Sequence, residues 1–325
     1  MTCRPSRPSS PTGQGGDVPP MMNRIDLSDR VILVTGGGRG LGESYCRELA
    51  HRGAAVVVHD NGSDTAGRGH DPAPAQNVAA AIVDDGGRAV ACVSDASTES
   101  GGREAIDLAL REYGVLHAVV ANAGIIHEDS FGDWPTDRFE ALLRHHLMAA
   151  FHVVRPAFAM MKGAGYGRIV FVSSAAGVFG QPRLAGYAAA KTGMLGLMNV
   201  VALEGAEFGI TANAIMPMAA TRMALALMAD AADTADGREF LDSLRVDQVA
   251  PVVAYLASES CTRTQLVLSA FRGRVAALQI GVTRGWISDT GMVSAEDVAR
   301  HLDEITDTDD LLVPGSIFDE MAYLS

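Results

Sequence analysis

The feature that most constrains this chain is a short apolar run, VILVT at residues 31–35, which passes directly into the glycine-rich turn TGGGRGLG at 35–42. A run of this kind needs cover on both faces, as a central strand of a parallel sheet has. The glycines then let backbone approach a ligand, and a helix opening near Gly40 offers its N-terminal N–H groups to an anion. Leu41, Tyr45 and Leu49 give that helix one apolar face. A second apolar run, residues 54–59, follows and ends at Asp60. Strand, glycine turn, helix and strand in this order predict one doubly wound α/β domain, a parallel sheet with helices on both faces and ligand at the carboxyl ends of the strands. A dinucleotide pyrophosphate suits the glycine turn. The Asp60 carboxylate can accept hydrogen bonds from the adenosine ribose and repel a 2′-phosphate, which favours NAD over NADP.

A second concentration of chemistry lies in residues 168–191. A buried strand is expected to end at Ser173-Ser174, and a helix to begin near Tyr187. Tyr187 and Lys191 are four apart and share a helix face. An ammonium beside a phenol favours phenolate and lowers the phenol's pKa, which makes Tyr187 a proton donor near neutral pH. Ser174 precedes Tyr187 by 187 − 174 = 13 residues, so a returning loop can bring its hydroxyl to the same oxygen. The three side chains would then hold a carbonyl or an alcohol. A Y-x-x-x-K pair alone occurs on many helices by chance, and the glycine turn gives it weight.

Taken together, TGGGRGLG with Ser174, Tyr187 and Lys191 resembles the short-chain dehydrogenase/reductase family, over residues 29–268 and with the motifs in the family's order. The passage VVVHDNG, the long insertion after it and a following helix from Ala75 are similar to the dehydrogenase part of peroxisomal D-bifunctional (17β-hydroxysteroid dehydrogenase-like) β-oxidation enzymes and their bacterial single-domain relatives. The resemblance implies hydride transfer between a nicotinamide and a secondary alcohol or ketone, with a D-3-hydroxyacyl-CoA or a hydroxysteroid as substrate. Tyr187 would move the proton, Lys191 would lower its pKa and hold the nicotinamide ribose, and Ser174 would orient the substrate oxygen. An NADPH-dependent reductase of ketones or 3-oxoacyl thioesters is the alternative within enzymes, and a catalytically silent NAD-binding regulatory protein is the alternative outside them.

The same resemblance implies the remaining site residues. The cofactor positions are Gly36, Arg39, Gly40, Leu41 and Gly42 in the glycine turn, then Asp60, Asp95 beside the adenine amino group, and the element Asn122-Ala123-Gly124. Asn122 reads as a bracket between strands, and Gly124 as a place where backbone passes close to the cofactor. Pro217 and Thr221 complete the set with Tyr187 and Lys191. Met216-Pro217-Met218 replaces the family's usual Pro-Gly, so the backbone there is expected to run differently. In the family a basic residue at Arg39 can meet a 2′-phosphate; Asp60 is weighed above it, and a solvated loop charge is the other reading of Arg39. Ser94 and Asp95 can equally cap the next helix. His146 stands where the family commonly has asparagine and the D-bifunctional group has histidine, and it counts as a fourth catalytic position. There a proton relay that titrates near neutral pH and a packing role both stand. His145 is expected to point away from it.

Elsewhere the pattern is coarser. Residues 90–93, 116–121 and 210–215 read as further strands, 265–270 as the last, and 135–161 as one long helix. The segment 61–74 is a polar insertion, in which His70, Asp64 and Asp71 read as solvated surface; no metal is expected. Small residues between Ala185 and Gly196 predict close helix approach, and with the family's usual contact they imply a homodimer or homotetramer. The apolar run 223–228 is either a lid over the substrate or a core helix. Residues 246–258 and 294–305 read as helices, the latter with Ser294 and Asp297 as a near capping box, and 274–280 alternates like a strand.

The chain thus divides into a Pro-, Ser- and Gly-rich tail at 1–23, a domain at 24–270 and an extension at 271–325. Met21 or Met22 can equally be the start. A net charge of −13 argues against nucleic-acid and anionic-membrane partners, and no apolar run reaches the roughly 18 residues of a membrane span. Cys3, Cys46, Cys92 and Cys261 lie far apart, which suits a reducing cytoplasm, and the closing Tyr-Leu-Ser is not an S-K-L peroxisomal address.

Overall fold

A computed structural model describes residues 24–229 and 233–322; the tail at 1–23 and the closing tripeptide lie outside the described residues. The apolar runs become β1 (Val31–Thr35), β2 (Ala55–His59), β3 (Arg88–Cys92), β4 (Ala118–Ala121), β5 (Gly167–Val172), β6 (Ile210–Pro217) and β7 (Val267–Phe271), and the alternating segment after them becomes β8 (Arg274–Leu278). They form one sheet in the order β3-β2-β1-β4-β5-β6-β7-β8. Only the β7–β8 pair is antiparallel. Every residue of β1, β2, β4 and β5 is buried, because helices cover both faces of the sheet.

On one face lie α3 (Glu99–Tyr113), α5 (Ala149–Ala164) and α7 (Ala185–Gly205), packed on Leu33, Val57, Val119 and Phe171. On the other lie α1 (Gly40–His51), α2 (Ala73–Asp84) and α10 (Ala250–Leu256), packed on Ile32, Val56, Val120 and Val170. Chain order reverses between β1 and β4, so their carboxyl ends open a crevice where a doubly wound sheet binds its ligand.

Several predicted elements differ in detail. The long helix at 135–161 is three pieces: α4 (Thr136–Leu143), a π turn (Arg144–Met148) and α5. The π turn swings His146 toward the end of β4, where it bonds to Ile125. The helix expected at 246–258 shortens to a 3₁₀ turn and α10, with Pro251 in the first turn. Residues 294–305 split into α11 (Ala295–Arg300) and α12 (Leu302–Ile305), and Ser294 and Asp297 form a complete capping box. Thr98, rather than Ser94 or Asp95, caps α3, its hydroxyl accepting from Gly101 N at 3.0 Å. Ser94 instead donates to Gly101 O.

The small residues of α7 do admit neighbours. A Cβ on Gly186 would lie 2.8 Å from Leu142 Cδ1, and one on Gly193 would lie 3.0 Å from Leu147 Cδ2. Gly196 meets nothing, and Val200 and Leu203 nearby are half exposed. Among the described residues no helix is long and apolar enough to cross a membrane.

Candidate active site

The crevice is a cavity of about 630 Å³, within the usual range for small-molecule sites. At one end stands the glycine turn. Gly36 has φ +64°, and a Cβ there would press on Ala123 Cα at 2.9 Å. A Cβ on Gly42 would collide with the Gly36 carbonyl, so the start of α1 rests directly on the turn. Arg39 supplies no side-chain cap to α1, which leaves first-turn N–H groups for an anion. Gly40, at φ +56°, faces open space apart from the Thr221 side chain 3.5 Å away.

Asp60 follows β2, and both its oxygens are fixed by backbone: Oδ2 accepts from Gly38 N at 2.9 Å and Oδ1 from Gly62 N at 2.7 Å. Asp95 also lines the cavity, with Oδ1 accepting from Ser97 N. Asn122 is the strand bracket expected of it. Its Nδ2 donates to Thr35 O and Gly36 O, at 2.9 and 3.2 Å, while its backbone N donates to Thr35 Oγ1. Ala123, Pro217 and Thr221 line the same wall, and Thr221 caps α8 (Arg222–Leu227) through Ala224 N. The open turn, the uncapped helix and the carboxylate fit an adenine dinucleotide, whose pyrophosphate Gly40, Leu41 and Gly42 would hold.

Ser174, Tyr187 and Lys191 meet in the middle of the cavity. Ser174 follows β5 as the N-cap of α6 (Ala175–Phe179), accepting from Ala176 N, and its hydroxyl faces the same cavity as the Tyr187 phenol. Lys191 is 3% exposed; its Nζ donates to Val172 O at 2.6 Å and lies 5.6 Å from the Tyr187 ring centre. Burial overrules the expected electrostatics. It lowers the Lys191 ammonium to about 7 and raises the Tyr187 phenol, which only the Ser174 hydrogen bond pulls back. Lys191 therefore does not depress the phenol in this chain by charge alone, and Tyr187 rests protonated at neutral pH.

His146 packs edge-on against Tyr187, with ring centres 5.2 Å apart. Its Nε2 meets both backbone groups of Ile125, the carbonyl oxygen at 2.7 Å and the N–H, which donates to it, at 3.2 Å. Nδ1 is buried with no partner. Burial and the Lys191 charge hold this imidazole well below the usual histidine range, which favours its neutral form. Gly124 serves His146 as well as the backbone path, since a Cβ on it would fall within the His146 ring.

His145 also borders the cavity, near Gly67 and with its Nδ1 bonded to Ala141 O, while His146 turns to Ile125 and Tyr187. The run at 223–228 borders the cavity, as the lid reading had it, while the other apolar wall residues were not foreseen. Met218, Met223, Leu227, Phe179 and, from β8, Ala276 and Leu278 line the substrate side. No residue of α8 is buried, so this segment is a cavity wall and not a core helix. Alternation at 274–280 had marked the strand, but nothing local marked its pairing with β7. Among the described residues no group of three His, Cys, Asp or Glu side chains could hold a metal ion.

A dinucleotide cradle and a Ser–Tyr–Lys cluster on one cavity define an oxidoreductase that acts on CH–OH groups with a nicotinamide cofactor. Residues 30–231 match the sequence model of the short chain dehydrogenase family. The chain belongs to the short-chain dehydrogenase/reductase family. It is 40% identical over 289 residues to a short-chain type dehydrogenase/reductase of Mycobacterium tuberculosis, covering 89% of this chain and 98% of that one. It is also 36% identical over 267 residues to the peroxisomal multifunctional enzyme type 2 of Mus musculus, covering 82% of this chain but only 35% of the mouse enzyme. Among solved structures, a short chain dehydrogenase from Mycobacterium avium superposes with a TM-score of 0.74 at 28% identity, covering 89% of this chain and 98% of that one. The full-length peroxisomal multifunctional enzyme type 2 of Drosophila melanogaster gives 0.74 at 30% identity, over 92% of this chain and 49% of that one.

Proposed function

We propose that this chain is an NAD-dependent dehydrogenase of a secondary alcohol, with a D-3-hydroxyacyl-CoA or a hydroxysteroid as its substrate class. The observation that carries the reading is the meeting of Ser174, Tyr187 and Lys191 on one cavity whose far wall is apolar. Ser174 holds the substrate oxygen, and Tyr187 Oη takes the hydroxyl proton on oxidation or returns it to the carbonyl on reduction. Lys191 is buried beside the phenol, with its Nζ held by Val172 O. The nicotinamide, when bound, supplies the hydride acceptor or donor. Its ribose would meet Tyr187 and Lys191, and the adenosine would meet Asp60 and Asp95.

NAD is favoured because Asp60 is fixed at the end of β2 while Arg39 is engaged elsewhere. The substrate class draws support from the apolar wall of α8 and β8 and from the similarity to peroxisomal multifunctional enzymes. The catalytic domain is taken as residues 24–270 with an extension at 271–325 that lends β8 to the sheet. The exposed face of α7 at Gly196, Val200 and Leu203 supports pairing with a second copy.

A panel of D-3-hydroxyacyl-CoA thioesters, hydroxysteroids and simple secondary alcohols, assayed with NAD and with NADP at the nicotinamide absorbance, tests the reading. Fastest turnover is expected for an acyl-CoA or a steroid with NAD. Turnover confined to NADPH and 3-oxo thioesters or small ketones would replace it with the reductase reading, and binding without turnover of any class would leave a silent cofactor-binding protein.

A further inference from the structure

The segment between β2 and α2 folds into a closed strap across the adenosine end of the cavity. Its ends meet where Asp71 N donates to Asn61 O at 2.9 Å. Gly62, at φ +71°, sits so close to the Asp71 carbonyl that any Cβ would collide with it, and only glycine closes the strap there. The tip is tied as well. Asp64 Oδ1 accepts from Ala66 N and Arg68 N, each at 2.9 Å, and Ile126 N donates to Thr65 O at 2.9 Å across the cavity mouth.

Arg39 lies along this strap and directs its donors to it. Its Nη1 donates to Ser63 O at 3.1 Å and to Gly62 O at 3.4 Å, and its Nη2 stands 3.8 Å from Asp71 Oδ2. The other Asp71 oxygen accepts from Ala73 N at 3.0 Å, which fixes the carboxylate at the entry to α2. Arg39 is the one cation of the turn at 35–42. A free guanidinium presents a fork of N–H donors suited to phosphate; here that fork is committed to the strap.

The geometry points to Asp71 as a positioning residue for cofactor choice: with the Gly62 and Ser63 carbonyls it holds Arg39 against the strap and away from a ribose 2′-phosphate. This rests on the NAD reading above and assigns part of the discrimination to a residue outside both the glycine turn and β2. Asp60 repels the phosphate, and Asp71 withholds the cation that would attract it.

Calorimetric titration with ADP-ribose and with its 2′-phosphorylated form tests the assignment on the full chain without turnover. Asp71→Asn keeps an oxygen for Ala73 N and removes the charge. It is expected to improve the Kd for the 2′-phosphorylated ligand relative to ADP-ribose by about fivefold, the scale of a partly exposed ion pair. The gain should shrink at high salt, vanish in Arg39→Ala/Asp71→Asn, and be absent in Asp71→Glu, which restores the charge. A ratio within twofold of wild type in Asp71→Asn, or a gain that survives loss of Arg39, overturns the role of Asp71 while the NAD reading stands. A wild-type protein that itself binds the 2′-phosphorylated ligand more tightly overturns the NAD reading and this assignment with it.

Discussion

The two ends of the cavity are built by different means. At the adenosine end the polar groups are held by backbone: both Asp60 oxygens accept from glycine N–H groups, and Asn122 clasps the ends of β1 and β4. At the substrate end the wall is Met223 and Leu227 on a six-residue helix with no buried residue, Phe179 at the end of α6, and Leu278 on an edge strand. Directional bonds fix a geometry; apolar side chains on an exposed helix fix only a character. One end therefore has a defined geometry, and the other has only an apolar character.

Substitutions at the two ends should differ accordingly. The largest effect is expected at Gly42→Ala, where the new Cβ meets the Gly36 carbonyl. Calorimetry should show NAD affinity down by about 10²-fold or more, or loss of the fold by circular dichroism, as overpacking against backbone demands. Normal binding in that variant would break the claim that the adenosine end is rigid.

Next in size is His146, which belongs to neither end. His146→Ala is expected to cost about tenfold in kcat, and His146→Asn less, with both keeping the fold. Because burial holds the imidazole neutral, neither should shift an inflection in the rate profile between about pH 6 and 9. Equal activity of wild type and His146→Ala across that range would leave His146 as packing alone.

Lys191 offers a smaller effect, read in stability. Its folded pKa is about 7 against 10.5 for the free group. Between those values the unfolded chain binds the extra proton, so this group makes stability rise with pH through that window, by at most about 1.4 kcal/mol per unit. Lys191→Met should flatten the rise in denaturation midpoint between about pH 7 and 9. An unchanged slope would mean that Lys191 keeps its charge in the fold.

The smallest effect is expected at the substrate end. Met223→Ala should raise KM for the substrate about two- to fivefold and leave NAD affinity unchanged, since a half-buried side chain on an exposed helix loses little contact area. A comparable loss of NAD affinity would erase the contrast between the ends.

The same contrast explains what could be read from the sequence. The apolar stretches VILV and AVVV carry their own evidence, because the middle of a strand buried on both faces has no polar position to spare. Ser174, Tyr187 and Lys191 were legible from spacing. The π turn at 144–148 was not, because the bond from His146 to Ile125 is a long-range contact. Nor was the balance at Lys191, where desolvation outweighs the charge effect that adjacency suggests. The α3 cap was ambiguous for a local reason. Ser94, Asp95 and Thr98 all carry cap chemistry, and only the path of the chain after β3 selects Thr98. β8 alternates as a strand should, but nothing local says that it will wall the cavity.

The central claim is that Tyr187, set by Ser174 and Lys191, moves the proton in a site whose cofactor end is independently formed. Measuring turnover and NAD affinity together in Tyr187→Phe tests it most directly. The account predicts turnover lower by at least about 10²-fold, with the NAD Kd within about threefold of wild type. Near-wild-type turnover in Tyr187→Phe would contradict it.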